Sequence, residues 1–131
     1  MPSANPSAIA TAHPAVPVLP ADVLVFGEAL VDMFPDKPGL PLEEVEHFVR
    51  HLGGAPCNLA VNLSRQGVRA ALYTMVGTDA FGRFVKRQLA DEGVVTDSIG
   101  THKSARTGVT FVSVSASGGR SRSAPRCRAR T

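Results

Sequence analysis

Cysteine is scarce in this 131-residue chain, and long apolar runs are missing altogether. Cys57 and Cys127 are too few and too differently placed to build a disulfide framework. No stretch approaches the roughly eighteen consecutive apolar residues of a membrane-spanning helix, so no membrane partner is expected. Met1 to Pro20 has neither a basic n-region nor a sustained apolar h-region, which argues against a secretory signal. Its Pro, Ala and Ser content predicts a disordered leader over residues 1–21, and the cytoplasm is the expected compartment.

Basic residues are also lacking from the body, although the formal net charge is +3. Of the 14 Lys and Arg residues, Arg120, Arg122, Arg126, Arg128 and Arg130 lie in the final stretch. Setting them aside leaves nine basic against 11 acidic residues, a body charge of about −2. A nucleic-acid binder would spread its basic residues over a folded face. Residues 119–131 carry no aromatic and no aliphatic side chain larger than Ala, so an unstructured tail is expected there. Metal chemistry lacks ligands as well. His47 and His51 stand four residues apart, but no Cys, Asp or Glu at suitable spacing completes a set.

What is present is an alternation of strand and helix signals. Val23 to Phe26 is an apolar run between Asp22 and Gly27, as in a strand buried on both faces of a parallel sheet. Pro35, Pro38, Gly39 and Pro41 mark a loop, and Val45 to Leu52 reads as a half-exposed strand. Cys57 to Gln66 has helical periodicity, with Leu59, Ala60 and Leu63 on neighbouring faces and Gly67 as a stop. Ala70 to Val76 is the next buried strand. Ala80 to Glu92 is a second helix with Phe81, Phe84, Val85 and Leu89 as its apolar stripe and Gly93 at its end. Val94 to Ile99 is a short strand or connection, and Thr107 to Ser115 a partly exposed strand. Strands alternating with helices of this length imply βαβ units and a doubly wound α/β sheet within one domain.

Three places carry chemistry. In Gly53-Gly54-Ala55-Pro56-Cys57-Asn58, two glycines permit a tight turn and close approach to a ligand. Asn58 then supplies a donor and an acceptor near a helix start, a combination that suits a polyhydroxyl substrate and equally an ordinary loop-to-helix turn. Asp32 follows the first strand, and a carboxylate there accepts two sugar hydroxyls or serves as a loop or cap residue. Gly77-Thr78-Asp79-Ala80-Phe81-Gly82 lacks the Lys-Ser/Thr ending of a P-loop and the G-x-G-x-x-G spacing. Its reading is structural, with Thr78 or Asp79 capping the helix at Ala80. Cys57 reads as a small packing residue.

The segment from Asp22 to Arg120 resembles the ribokinase-like (PfkB) carbohydrate kinases, closest to fructokinases and 2-keto-3-deoxygluconate kinases. The resemblance rests on four matches in order: Asp22 through Gly27-Glu28 to Asp32, the Gly53-Gly54-Ala55-Pro56-x-Asn58 loop, Val76-Gly77-x-Asp79-x-Phe81-Gly82, and Arg106-Thr107 to Val112. It implies an N-terminal portion of a ribokinase-like α/β fold, residues 22–118, in which the segments near 45–52 and 107–115 form a small β lid. It implies a sugar held by Asp32, Gly53, Gly54 and Asn58, with Arg106 or Phe111 as further candidates on the lid. For the intact kinase it implies phosphoryl transfer to a sugar hydroxyl, with ATP and Mg2+ as cofactors.

The family's catalytic Asp belongs to a later G-A-G-D motif, and no Gly-x-Gly-Asp occurs in this sequence. The expectation is therefore a chain that keeps the sugar-binding part, binds ATP poorly, and is poorly folded and inactive alone. The Arg/Ser/Pro/Ala composition after Gly119 further suggests a frameshift product. The alternative is a non-catalytic sugar-binding module, or a homodimer formed through the lid strands.

Overall fold

The computed structural model describes residues 20–114 and 120–123. Among the described residues there are two sheets, two α-helices and a short 3-10 turn at Leu42–Glu44. Strands β1 (Val23–Phe26), β4 (Ala70–Gly77) and β5 (Ile99–His102) form a parallel sheet in the order β1-β4-β5. Strands β2 (Leu30–Pro35), β3 (Phe48–Gly53), β6 (Gly108–Val114) and β7 (Arg120–Ser123) form the second, in the order β3-β2-β6-β7. Helices α1 (Ala55–Arg65) and α2 (Ala80–Asp91) follow β3 and β4. The expected ribokinase-like α/β arrangement, with a small separate β sheet, is what the chain builds.

Both helices stop in the same way. Gly67 and Gly93 take φ of +84° and +78°, which only glycine adopts without strain. The N–H groups of Gly67 and Val68 bond back to Ser64 and Leu63, and those of Gly93 and Val94 to Ala90 and Leu89. Each is a Schellman motif that satisfies carbonyls the helix leaves open. The two ends also meet each other. The Arg65 guanidinium holds the Glu92 carboxylate at 2.6 and 2.8 Å, and the Ser64 hydroxyl donates to the Glu92 carbonyl at 2.8 Å.

The core lies between one face of the parallel sheet and the helices. Val25, Leu72, Val76 and Ile99 meet Cys57, Ala60 and Val61 of α1 and Phe84, Val85 and Leu89 of α2. Val31 of β2 joins the same cluster, with Leu52 and Val109 packed against it, so the second sheet meets the helices through this face.

Several expectations are corrected. β1 and β4 are not buried on both faces: Leu24 is 53% exposed, Phe26 76%, Tyr73 53% and Met75 60%. The helices cover one face, and nothing among the described residues covers these four. The buried stripe of α1 is Cys57, Ala60 and Val61 rather than one containing Leu59, which is 52% exposed. The strand at Leu30–Pro35 was not expected, because Asp32 and Pro35 interrupt its pattern. The tail does not begin at 119 as unstructured chain, since Arg120–Ser123 pair antiparallel with Phe111–Val114. A strand at a sheet edge is held by backbone hydrogen bonds, so the lack of apolar side chains does not prevent it. The leader up to residue 19 and the tail from residue 124 lie outside the described residues. No helix among the described residues is long and apolar enough to cross a membrane.

Candidate functional site

Asp32 sits in the middle of β2, only 4% exposed, between His51 of β3 and Thr110 of β6. Side chains alternate along a strand, and directly paired residues share a face. Val31, Met33, Leu52, Arg50, Val109 and Phe111 therefore point one way, toward the helices. The Arg50 guanidinium lies 4.6 Å from the centre of the Phe84 ring on α2, which fixes that direction. Asp32 points the other way, together with Leu30, Phe34, His51, Gly53, Gly108 and Thr110.

Gly53 ends β3 directly beside this carboxylate. A Cβ placed on it would stand 2.7 Å from Asp32 Cγ and 2.8 Å from Oδ2. That position has room for hydrogen only. Gly54 follows as the N-cap of α1, with φ +103°, and a Cβ there would lie 2.5 Å from the Glu28 carbonyl oxygen. The double glycine thus lets the end of β3 pass between Asp32 on one side and the β1–β2 turn on the other. No side chain caps α1, and Pro56 in its first turn has no N–H to offer. Asn58 is tied to this turn by its backbone, whose N–H donates to the Gly54 carbonyl at 3.1 Å.

Of the four site residues expected from sequence, Asp32, Gly53 and Gly54 come together. Asn58 is one helical turn away, exposed, and borders an open groove of about 550 Å³ shared with Arg50, His51, Asn62, Arg65 and Gln88. Asp32 is not among the residues lining that groove, whereas its cross-strand neighbour His51 is. Phe111, a candidate from sequence, turns to the opposite face from Asp32 and packs edge-on against Phe48 at 5.2 Å. Arg106 is exposed ahead of β6. Two residues beside Asp32 were not among the sugar-site candidates: Thr110, and His51, which the sequence offered only as half of a metal pair. Each becomes visible only through the register that places it opposite Asp32.

Cys57 is fully buried under this turn, its thiol 4.0 Å from the Glu28 carbonyl. Burial, and then the Glu28 carboxylate nearby, push the thiol up to about 11, so it stays protonated and packs. The packing role expected for it holds.

The Gly77–Gly82 turn is closed. Asp79 caps α2, its Oδ1 accepting from Gly82 N–H at 2.9 Å, while Oδ2 accepts from Thr107 N–H at 2.8 Å. Burial acts to raise the Asp79 carboxyl, but these bonds prevail and hold it below its ordinary range. Thr107 Oγ1 in turn accepts from Gly77 N–H at 2.9 Å. A carboxylate already fills this helix N-terminus, so it offers no cradle to a phosphate. Nor do the described residues include a group of three or more His, Cys, Asp or Glu able to hold a metal ion. Neither the Gly77–Gly82 turn nor any His, Cys, Asp and Glu grouping among the described residues supplies the phosphate cradle or ligand set that ATP and Mg2+ would use.

Residues 20–124 match the model of the pfkB family carbohydrate kinases. Fructokinase-2 of Solanum habrochaites is 39% identical over 98 residues, which are 75% of this chain and 30% of that protein. The 5-dehydro-2-deoxygluconokinase of Clostridium tetani is 36% identical over 96 residues, 72% of this chain and 28% of that protein. Among solved structures, the fructokinase of Halothermothrix orenii superposes with a TM-score of 0.72 at 39% identity, covering 80% of this chain and 37% of its own. A sugar kinase of Pyrococcus horikoshii, in complex with ATP, gives 0.75 at 34% identity, covering 80% and 34%. This chain therefore spans about three-tenths of the length of these curated relatives.

Proposed function

Because the chain belongs to the pfkB family of carbohydrate kinases, we propose that it carries the sugar-holding portion of an enzyme that moves the ATP γ-phosphate to a hydroxyl of a small sugar or sugar acid. The substrate class is that of a fructokinase or a ketodeoxygluconate-type kinase. The single observation that supports this reading most is the pairing of a buried Asp32 with Gly53, where any side chain would collide with the carboxylate. A carboxylate accepts hydroxyl donors through charge-assisted bonds, and its low exposure reduces competition from water. Gly54 and Asn58 complete the set, the first by bringing backbone close, the second with a donor and an acceptor. Orientation of the accepting hydroxyl is the contribution of these residues to phosphoryl transfer.

The second reading is a sugar-binding module without turnover, or one that pairs through its lid strands. It is favoured by the Asp32–Gly53 pairing itself, which would hold a hydroxyl without any phosphate-transfer group. Calorimetric titration of the purified chain with D-fructose and with D-gluconate, alongside an ATP-coupled phosphorylation assay, tests both. Binding that is lost in Asp32→Ala supports the sugar site, and phosphorylation by the chain itself rules out the module. Absence of binding by either sugar overturns the sugar-site reading.

A further inference from the structure

Rows of side chains cross the second sheet on the face that carries Asp32. Gly53, Leu30 and Gly108 form one row, and His51, Asp32 and Thr110 form the next. The first row is low at both ends, because two of its three members have no side chain. The second presents an imidazole, a carboxylate and a hydroxyl side by side across β3, β2 and β6. Paired Cβ atoms in such rows stand about 4.5–5.5 Å apart, so their polar ends reach neighbouring hydroxyls of one small ligand.

Burial is graded along the row. Asp32 and Thr110 are 4% and 6% exposed, whereas His51 is exposed at the rim. The His51 ring does not swing without restraint. It meets the Phe34 ring edge-on, 5.3 Å between centres at 89°, and Phe34 is two residues on from Asp32 on the same face. One ring nitrogen donates and the other accepts in the neutral imidazole, so the residue reads a hydroxyl in either sense. Phe34 adds an apolar wall beside it. Thr110 falls within the Arg106–Val112 stretch that resembles the family, whereas none of the four resembling stretches contains His51.

We propose that the row His51–Asp32–Thr110 reads the hydroxyl pattern of the sugar, with His51 and Thr110 as specificity-determining residues flanking the carboxylate. This rests on the reading of Asp32 as a sugar-holding residue. His51 bonds the hydroxyl adjacent to the one that Asp32 accepts, and Thr110 borders the hydroxyl on the other side.

The test uses the full 131-residue chain, with D-fructose and D-gluconate as probes and calorimetry as the readout. Whichever probe binds more tightly is then compared with its monodeoxy analogues, in the wild type and in His51→Ala, His51→Gln and Thr110→Val. The expected result is a tenfold or greater loss of affinity in His51→Ala, recovered to within about threefold by His51→Gln. One deoxy analogue should bind the wild type about tenfold more weakly than the parent sugar, yet bind His51→Ala no more weakly than the parent sugar does. Thr110→Val, close in shape, should cancel the penalty of a different analogue. A structural role would weaken every analogue alike. Uniform weakening, or wild-type constants in all three variants, overturns the proposal while leaving the sugar site intact if Asp32→Ala still abolishes binding. If Asp32→Ala binds as the wild type does, or if neither probe binds the wild type, the underlying site falls and the proposal with it.

Discussion

Asp79 accepts a hydrogen bond from the backbone of Thr107, 28 residues further along the chain, while the same carboxylate caps α2. One side chain therefore joins the helix that packs on the parallel sheet to the residue that leads into the lid strand β6. Gly77 and Gly82 are part of the same joint. A Cβ on Gly82 would meet the Gly77 carbonyl oxygen, and one on Gly77 would fall 2.8 Å from Thr107 N. The Gly-x-Asp-x-Phe-Gly motif is a packing device that orients the two sheets, and its glycines are required by contact rather than by a ligand.

Asp79→Ala removes an N-cap and one anchor of the lid together. A cap alone is worth about 0.5–2 kcal/mol, so a loss at the upper end of that range is expected. Asp79→Asn should cost less, because its amide keeps one acceptor for the two N–H donors that converge on it. Urea denaturation midpoints of the three proteins at pH 7 check the order wild type, Asn, Ala.

The same group sets an acid dependence. Its folded carboxyl lies below its ordinary value of 3.8, so it binds protons less readily folded than unfolded. Its contribution is complete above that value and lost as pH falls through the folded one. The gap in stability between wild type and Asp79→Ala should therefore be constant from pH 7 to pH 5 and shrink below pH 4. A gap unchanged at pH 3 would mean that the carboxylate is not what holds the joint.

Gly53→Ala drives a methyl carbon into Leu30 Cδ1 and places it 2.7 Å from the Asp32 carboxylate carbon. Something must move, and overpacking of this kind costs about 1–3 kcal/mol. If Asp32 is the part that yields, sugar affinity should fall tenfold or more while the chain still folds. Circular dichroism and calorimetric titration on one preparation separate these two effects.

The helices and their ends were legible because they are written locally: an apolar stripe in Phe84, Val85 and Leu89, an Asp at the cap, a Gly at the stop. β2 was not, since a strand with Asp32 at its centre breaks the apolar run that marks a buried strand. Nor could burial of β1 be judged from Val23 to Phe26 alone, because an apolar run says that a face wants cover and not whether cover is present. Asp32, Gly53, Gly54 and Asn58 became candidates through a motif. His51 and Thr110 were out of reach, because their place beside Asp32 is created by strand register, which joins residues far apart in the chain. The strand at Arg120–Ser123 was missed for a related reason, its partner being backbone rather than any side-chain pattern.

Cys57 gives a test of burial that is independent of ligands. A thiol at about 11 beneath the Gly53–Asn58 turn should resist a disulfide reagent at pH 8. In a Cys127→Ser background, labelling should be slow in buffer and fast in denaturing urea. Cys57→Ser should destabilise by about 1–3 kcal/mol, because a buried hydroxyl needs a closer partner than a carbonyl 4.0 Å away.

The uncovered face of the parallel sheet carries the last prediction. Leu24, Phe26, Tyr73 and Met75 line up on it, with Phe26 stacked on Tyr73 at 5.6 Å, and an open apolar hollow of about 510 Å³ runs past Phe26, Tyr73, Met75 and Ile99. Parallel sheets are ordinarily covered on both faces, and apolar area left in water drives association. Leu24 and Met75 are more than half exposed, so replacing them with Gln forfeits little buried area. Leu24→Gln/Met75→Gln should change the unfolding free energy measured in urea by less than about 0.5 kcal/mol, as surface substitutions usually do. It should also move sedimentation at high protein concentration toward the monomer. A large loss of stability with no change in association would mean that the chain itself covers this face in solution.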